Sequence, residues 1–478
     1  MEMRYNLVTL GCQMNKSDSE RFRTVIEEMG YKWTNDEEEA NLLGVLACSV
    51  RQKSIDKVFS RIYKWNKWEN NKNLITFLSG CILKTDEDRF LKLFDLVFNI
   101  SDLEHLPEML RHYGIVTPIN EAASTESQAY YCDDNYREIK SRQHIHKEQQ
   151  KRLSPPEEKI REFWKISPSY NSFFEAFIPI QNGCDKFCTF CAVPYTRGRE
   201  ISRPSAEILD ETKYLVDKGY KSLTLLGQNV NSYGLDKKGD EITFTQLLKK
   251  IGEFGRLSGK DFWVYFTSPH PRDMTAEVIE AITQYGCLAN HIHLPLQSGD
   301  NSVLKKMNRN YTIEEYREII NLARKKLTGA TIFTDIIVGF TGETEEQFEN
   351  TRKLMEELKF NMAYIAKYSP RPGAVSSRWT DNIPVEIKKE RLNILTSELK
   401  KHSSAYNEGL INKKIKILVT GTDRKPGYLS GITEGRIIIR FKSEDTSLIG
   451  SFVYITITSS AEFAVEGELA HKAKTEPA

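Results

Sequence analysis

The first 130 residues alternate between short apolar runs and amphipathic stretches. Tyr5–Leu10 is an apolar run ending at Gly11-Cys12, and helical spacing of apolar positions follows from Ser17 to Met29. Asn41–Ala47 is a second run; it ends at Cys48, and a helix pattern follows from about Gln52 to Trp65. Leu74–Leu78 is a third, ending at Gly80-Cys81. Apolar runs of strand length between helical patterns predict a parallel sheet covered by helices. In open parallel sheets, ligands sit in the crevice beyond the carboxyl ends of the strands. Cys12, Cys48 and Cys81 fall there, one per strand, so the topology brings together three thiols that are distant in the chain.

A second series of strand–helix units runs from Phe174 to about Pro370. Strands are expected at Phe174–Ile180, Ser222–Leu226, Phe262–Phe266, His291–Leu294, Thr331–Val338 and Met362–Ala366, with helices such as Pro204–Lys218 and Thr312–Lys326 between them. Each strand ends in small or polar residues, among them Gly227-Gln228-Asn229, Ser268, Gln297-Ser298 and Gly339. This pattern predicts a β/α barrel, complete or partial, with its chemistry at the carboxyl ends of the strands. A long charged helix is expected from Pro384 to about Leu410. Beyond it, Ile415–Thr420, Arg436–Phe441 and Phe452–Ile457 are β-rich runs that predict a small antiparallel barrel. Arg424, Lys425, Arg436, Arg440 and Lys442 make that tail locally basic, which suits contact with RNA phosphates.

The 478 residues allow about three domains, and 40% hydrophobic residues supply real cores. The expected boundaries are 1–131 for the first α/β domain, 132–170 for a polar linker, 171–405 for the β/α barrel and 406–475 for the β-barrel. The linker is rich in Lys, Arg, Gln and His between Arg137 and Arg152, and Ser154-Pro155-Pro156 interrupts it. Formal net charge is only +1, so nucleic-acid binding would have to come from local patches. The opening Met1-Glu2-Met3-Arg4-Tyr5 lacks the pattern of a secretory signal. No apolar run approaches the length of a membrane span, so a cytoplasmic chain with no membrane partner is expected. Eight cysteines then point to reduced thiols and metal chemistry rather than disulfides. Cys132 is expected to be a spare thiol and Cys287 a buried core thiol.

The strongest chemical signal is Gly183-Cys184-Asp185-Lys186-Phe187-Cys188-Thr189-Phe190-Cys191. Three thiolates on one loop suit an iron–sulfur cluster, with one iron left open to a ligand that is not protein. A zinc knuckle is the alternative, but structural zinc takes four ligands, and no further cysteine or histidine lies nearby. The Cys12, Cys48 and Cys81 set has the same arithmetic: three thiols and one open iron.

The C-x3-C-x2-C loop, with Phe190 at the aromatic position, resembles the radical S-adenosylmethionine (SAM) enzymes. Together with Thr9–Asn15, Ala47–Arg51, Gly80-Cys81 and the β-rich tail, it resembles the methylthiotransferases, which join an auxiliary-cluster domain, a radical SAM barrel and a TRAM domain. The resemblance implies two 4Fe–4S clusters, one on Cys12, Cys48 and Cys81 and one on Cys184, Cys188 and Cys191. It implies SAM contacts at Phe190, Gly227, Gln228, Ser298, Arg309, Gly339 and Gly342. It also implies the chemistry: one SAM methylates a sulfur held at the auxiliary cluster, and a second yields a radical that takes hydrogen from an aromatic carbon. Acid–base catalysis cannot remove such a hydrogen, whereas a cofactor-made radical can. The runs Val193–Glu200 and Leu225–Gly234 look like the branch acting on N6-isopentenyladenosine beside the tRNA anticodon. The alternatives are N6-threonylcarbamoyladenosine in tRNA and an aspartate of a ribosomal protein. Expected partners are the tRNA anticodon loop and an electron donor such as flavodoxin or ferredoxin; the sulfur donor is left open. A non-catalytic RNA-binding or iron-storing protein would need all six cysteines to be structural, and two open iron sites argue against it.

Overall fold

The computed structural model describes residues 2–49, 52–68, 74–111, 157–237 and 239–470. It comprises two compact units. The first is Met1–Asn171 with Asn182–Arg203 and Arg371–Ser377; the second is Ser172–Gln181, Pro204–Pro370 and Arg378–Ala478.

In the first unit, β1 (Arg4–Thr9), β2 (Lys32–Trp33), β3 (Leu42–Cys48), β4 (Ile75–Cys81) and β5 (Leu96–Val97) form one parallel sheet in the order β2-β1-β3-β4-β5. Every residue of β3 and β4 is buried, as expected of strands covered on both faces. The two-residue period divides β3 between two cores. Leu42 and Leu46 join Phe22, Ile26 and Phe77 beneath helix Gln13–Glu28, while Leu43, Val45 and Ala47 join Ile55, Val58, Ile62 and Trp65 of helix Gln52–Trp65. Gly44 belongs here because a Cβ would stand 2.1 Å from the Phe77 ring.

Part of the segment expected as a polar, partly helical linker can be compared. Residues 132–156, and Cys132 with them, lie outside the described residues. Glu157–Lys165, however, is a helix, and Ile160, Phe163 and Trp164 are buried in the same core as Phe22 and Phe98. The apolar i, i+3, i+4 spacing of this segment was masked by its charged neighbours.

The chain passes through β6 (Glu175–Pro179), and β7 (Gln181–Asn182) then pairs with β8 (Ile201–Ser202). The second unit contains β6 with β9 (Ser222–Leu226), β10 (Trp263–Phe266), β11 (His291–His293), β12 (Thr331–Val338) and β13 (Met362–Lys367). They make two parallel sheets, β10-β9-β6 and β11-β12-β13, joined by a parallel bridge between Val264 and Leu288. Consecutive strands are therefore neighbours, as in a β/α barrel. Among the described residues β6 and β13 are not paired, which makes the barrel partial. Helices Phe244–Ser258, Ile313–Lys326 and Glu345–Leu358 each begin with a reciprocal Thr-x-x-Gln or Thr-x-x-Glu cap, at Thr243, Thr312 and Thr344.

The C-terminal strands β14 (Lys414–Thr422), β15 (Tyr428–Thr433), β16 (Ile438–Lys442), β17 (Phe452–Ser460) and β18 (Ala464–Leu469) close a barrel in the order β14-β15-β16-β18-β17. Its interior holds Ile417, Val419, Leu429, Ile439, Phe441, Ile455, Ile457 and Val465. Strands β15 and β18 mix apolar with polar residues and are not read from the chain. The turn after β15 plugs the amino-terminal end of the β/α barrel. Tyr265 Oη donates to the Glu434 carbonyl at 3.0 Å, and Thr331 Oγ1 donates to the Gly435 carbonyl at 2.7 Å. Arg436 donates to Thr224 Oγ1 at 3.1 Å and lies 3.9 Å over the Tyr265 ring. Arg436 is thus a packing residue, not part of a basic RNA face. Arg440 and Lys425 are paired with Asp423 and Glu466; Arg424 and Lys442 are exposed.

Candidate functional site

The parallel register of the first sheet delivers the first three thiols to one place. Cys48 and Cys81 are the last residues of β3 and β4 and are register partners. Cys12 follows β1 and caps helix Gln13–Glu28, which starts four residues earlier than its apolar pattern suggests. Asn15, fully buried, ties the ends of β1 and β3 together. Its Nδ2 donates to the Ala47 carbonyl at 3.1 Å, and its Oδ1 accepts from the Cys12 amide and thiol, each at 3.4 Å. Gly11 and Gly80 leave room for it: a Cβ on Gly11 would lie 2.4 Å from Asn15 Oδ1, and Gly80 has φ +110° with a Cβ position 2.4 Å from the Ala47 carbonyl oxygen. Burial pushes the Cys12 thiol up, with the neighbouring Cys81 adding to it. A hydrogen bond with Cys48 and burial hold Cys81 well above the ordinary thiol range.

The second set sits on the loop between β7 and β8. The Cys184 amide donates to the Gly198 carbonyl at 3.1 Å, and the Cys191 amide to the Cys188 carbonyl at 3.0 Å. Gly183 has φ +82°, and a Cβ there would stand 1.9 Å from the Arg199 carbonyl oxygen, so only glycine fits. Phe187, between the first two cysteines, also has a positive φ, +49°. Asp185 grips Arg199 through two contacts of 2.6 and 2.9 Å and accepts from the Glu200 amide. The Ser376 amide donates to the Thr189 carbonyl at 2.8 Å. Phe190 is half-buried on this loop. Burial pushes the Cys184 thiol up, reinforced by the nearby Cys191, Glu200 and Cys188.

Arg197, on the returning arm of this loop, reaches the first set. Its Nε lies 2.8 Å from Cys81 Sγ, its Nη1 donates to Asn182 Oδ1 at 3.3 Å, and its Nη2 pairs with the Asp18 carboxylate. Arg197 and Asp18 are both almost wholly buried. Burial opposes the guanidinium charge, but Asp18 and Cys81 overcome it and hold Arg197 charged. Asn15, Asp18 and the role of Arg197 were missed by reading the chain. The signal available was the polar run Asn15–Arg21 inside an otherwise amphipathic helix, all of it buried except Lys16.

Among the described residues no three Cys, His, Asp or Glu side chains already stand in a metal-coordinating arrangement. The donor chemistry nonetheless fits iron–sulfur clusters. Each set offers three soft sulfurs, buried or half-buried, the donor type such clusters take.

The remaining predicted residues lie at the carboxyl ends of the second unit's strands. Gly227 follows β9, and a Cβ there would lie 3.0 Å from Gln181 Oε1; Gln228 is next to it. Ser298 is fully buried, and its hydroxyl accepts from the Asp300 amide at 3.3 Å. Arg309 is buried; it donates to the Pro295 carbonyl at 3.0 Å and stacks on Tyr311. Gly339 and Gly342 both have positive φ, +68° and +76°. The Gly339 amide donates to Glu343 Oε2 at 2.7 Å, and Arg391 holds that carboxylate at 2.8 Å. Between the two glycines, Thr341 is buried, and its hydroxyl has no hydrogen-bond partner among the described residues. Cys287 packs against Gly255 and Gly252, away from these strand ends.

Comparison with known proteins places the two cysteine sets in context. Residues 178–355 match the radical SAM superfamily model, and residues 4–116 match a family described as uncharacterized protein family UPF0004. The tRNA-2-methylthio-N(6)-dimethylallyladenosine synthase of Oceanobacillus iheyensis is 38% identical over 467 residues, covering 96% of this chain and 82% of that protein. The synthase of the same name from Thermoanaerobacter pseudethanolicus is 35% identical, covering 97% and 92%, and that of Bacillus subtilis 33% identical, covering 98% and 86%. The chain belongs to this family.

Cys12, Cys48 and Cys81 of this tRNA-2-methylthio-N(6)-dimethylallyladenosine synthase family member fall within the 4–116 match, and Cys184, Cys188 and Cys191 within the 178–355 match. The solved structure of the radical S-adenosylmethionine methyltransferase TsrM from Kitasatospora setae, with cobalamin and a [4Fe-4S] cluster bound, superposes with a TM-score of 0.52. It covers 94% of this chain and 84% of that one at 13% identity, a likeness of fold. No helix among the described residues is long and apolar enough to cross a membrane.

Proposed function

We propose that the protein adds a methylthio group to carbon-2 of N6-isopentenyladenosine beside the anticodon of tRNA, using two 4Fe–4S clusters and SAM. The observation that carries this reading is identity of 33–38% over nearly the whole chain to synthases named for that nucleoside. Cys184, Cys188 and Cys191 would hold one cluster, and Cys12, Cys48 and Cys81 the other. When bound, such clusters pass an electron to SAM and hold the sulfur that is transferred. Cys184 keeps its thiol in a buried place, and Asp185 with Arg199 closes the loop around the cysteines. Phe190, Gly227, Gln228, Ser298, Arg309, Gly339 and Gly342 would be SAM contacts, and Arg309 braces the strand end at Pro295. The closed C-terminal barrel, TRAM-like, would contact the tRNA through Arg424, Lys442 and neighbouring exposed side chains. A cytoplasmic location and an electron donor of the flavodoxin or ferredoxin kind belong to the same reading.

The test is anaerobic reconstitution followed by incubation with SAM, a reductant and sulfide. Isopentenylated and threonylcarbamoylated tRNA are offered separately, and the digested nucleosides are weighed. Methylthio product from isopentenylated tRNA alone is expected. Product from the other tRNA would overturn the substrate and keep the chemistry. SAM cleavage with no product from either would point to the ribosomal protein.

A further inference from the structure

Buried arginines normally face carboxylates, backbone carbonyls or phosphates. Arg197 faces a thiol, and each nitrogen of its guanidinium has a different partner. Nε meets Cys81 Sγ at 2.8 Å, Nη1 meets the Asn182 side chain at 3.3 Å, and Nη2 meets Asp18. The backbone beneath it is equally committed. Its carbonyl accepts from Asn182 Nδ2 at 2.9 Å, and its amide donates to the Val193 carbonyl at 2.8 Å. A merely structural tie between the cysteine loop and helix Gln13–Glu28 would need only Asn182 and Asp18. The thiol contact is additional, and it places a full positive charge against one of the three sulfurs of the first set. Asp18, with Arg21 also near it, partly offsets that charge.

We propose that Arg197 is a positioning residue for the cluster on Cys12, Cys48 and Cys81: it holds the Cys81 sulfur and makes that cluster easier to reduce. This rests on the reading that those three cysteines carry a cluster. The physical basis is general. One-electron reduction adds a negative charge to an iron–sulfur cluster. Hydrogen bonds and positive charge at its sulfurs stabilise the reduced form and raise its potential. In a water-poor site a charge at 2.8 Å acts with little screening. Removing Arg197 exposes the cluster to Asp18 alone, whereas removing the Asp18 charge leaves Arg197 uncompensated. The two residues should therefore move the potential in opposite directions.

The experiment uses the full chain with Cys184, Cys188 and Cys191 changed to Ala, so that only the first set binds iron. It is loaded anaerobically with iron and sulfide, iron is counted, and the midpoint potential is measured by EPR-monitored titration with a chemical reductant as electron source. Arg197→Met is expected to shift the potential to more negative values and Asp18→Asn to more positive ones. Arg197→Lys, which keeps the charge and loses the fork, should fall between Arg197→Met and the parent. Because the two substitutions act on opposite charges, loss of fold in one leaves the sign of the other to decide. Unchanged potentials, or shifts of the same sign in Arg197→Met and Asp18→Asn, would overturn the proposal. If the parent takes up no iron at all, the cluster reading itself falls, and the Arg197 proposal falls with it.

Discussion

Asn15→Ala should loosen the crevice that gathers Cys12, Cys48 and Cys81. Asn15 is fully buried and serves the Ala47 carbonyl at 3.1 Å and the Cys12 amide at 3.4 Å. Alanine removes the side-chain hydrogen bond to that carbonyl and the one to that half-buried amide, at about 1 kcal/mol each, the central value for a net hydrogen bond. The sum is about 2 kcal/mol, or about thirtyfold in a local opening equilibrium. Hydrogen–deuterium exchange on iron-free protein reads this directly: amides at the carboxyl ends of β1 and β3 should exchange about thirtyfold faster, and those of β12 should not change. Iron uptake by the first cysteine set should fall in parallel. Exchange in these strands within about fivefold of the parent would refute the reasoning, because it would mean that Asn15 is not what joins the strand ends.

Three further outcomes follow from the second unit. Arg436→Ala should destabilise the C-terminal barrel by about 3 kcal/mol, from a desolvated cation–π contact and a charged hydrogen bond. Arg436→Gly should be less damaging, because Arg436 has φ +60°; unfolding followed by the fluorescence of Trp263, packed 4.5 Å from Phe452, would show the reverse order if the plug were not strained there. His291 is buried against Thr331, and burial, then Arg436 and His293, hold its pKa well below 6.5. The unfolded chain therefore takes up a proton below about pH 6.5 that the folded state resists. Thermal stability should fall from pH 6.5 towards pH 5 and be flat in this respect above it, and His291→Asn should flatten the fall. Gly339→Ala places a methyl 2.4 Å from Lys388 Cγ at φ +68°. Strain of about 1–2 kcal/mol should weaken SAM binding about tenfold by calorimetry, and unchanged affinity would remove Gly339 from the site.

Much of the architecture was legible in the chain because its strands are buried on both faces. Ser222–Leu226 and Thr331–Val338 were read to the residue, and the parallel order followed from alternation with helices. Strands that are very short or mixed in polarity were not legible. Lys32–Trp33 and Leu96–Val97 have two residues each, and Tyr428–Thr433 and Ala464–Leu469 mix apolar with polar residues; neighbouring strands supply their ladders.

The six cysteines and their division into two sets were determined by the sequence alone, since spacing on a loop and position at strand ends are local properties. Only the tertiary structure decided what surrounds them. Asn15 lies 32 residues from the Ala47 carbonyl it serves, and Arg197 lies 116 residues from Cys81 and 179 from Asp18. The same holds for the tail, where a basic cluster read from the chain dissolves into a plug at Arg436, pairs at Lys425 and Arg440, and two exposed charges at Arg424 and Lys442. The physical reason is that a side chain's charge is written in the sequence, while its partner and its access to water depend on contacts between residues far apart in the chain.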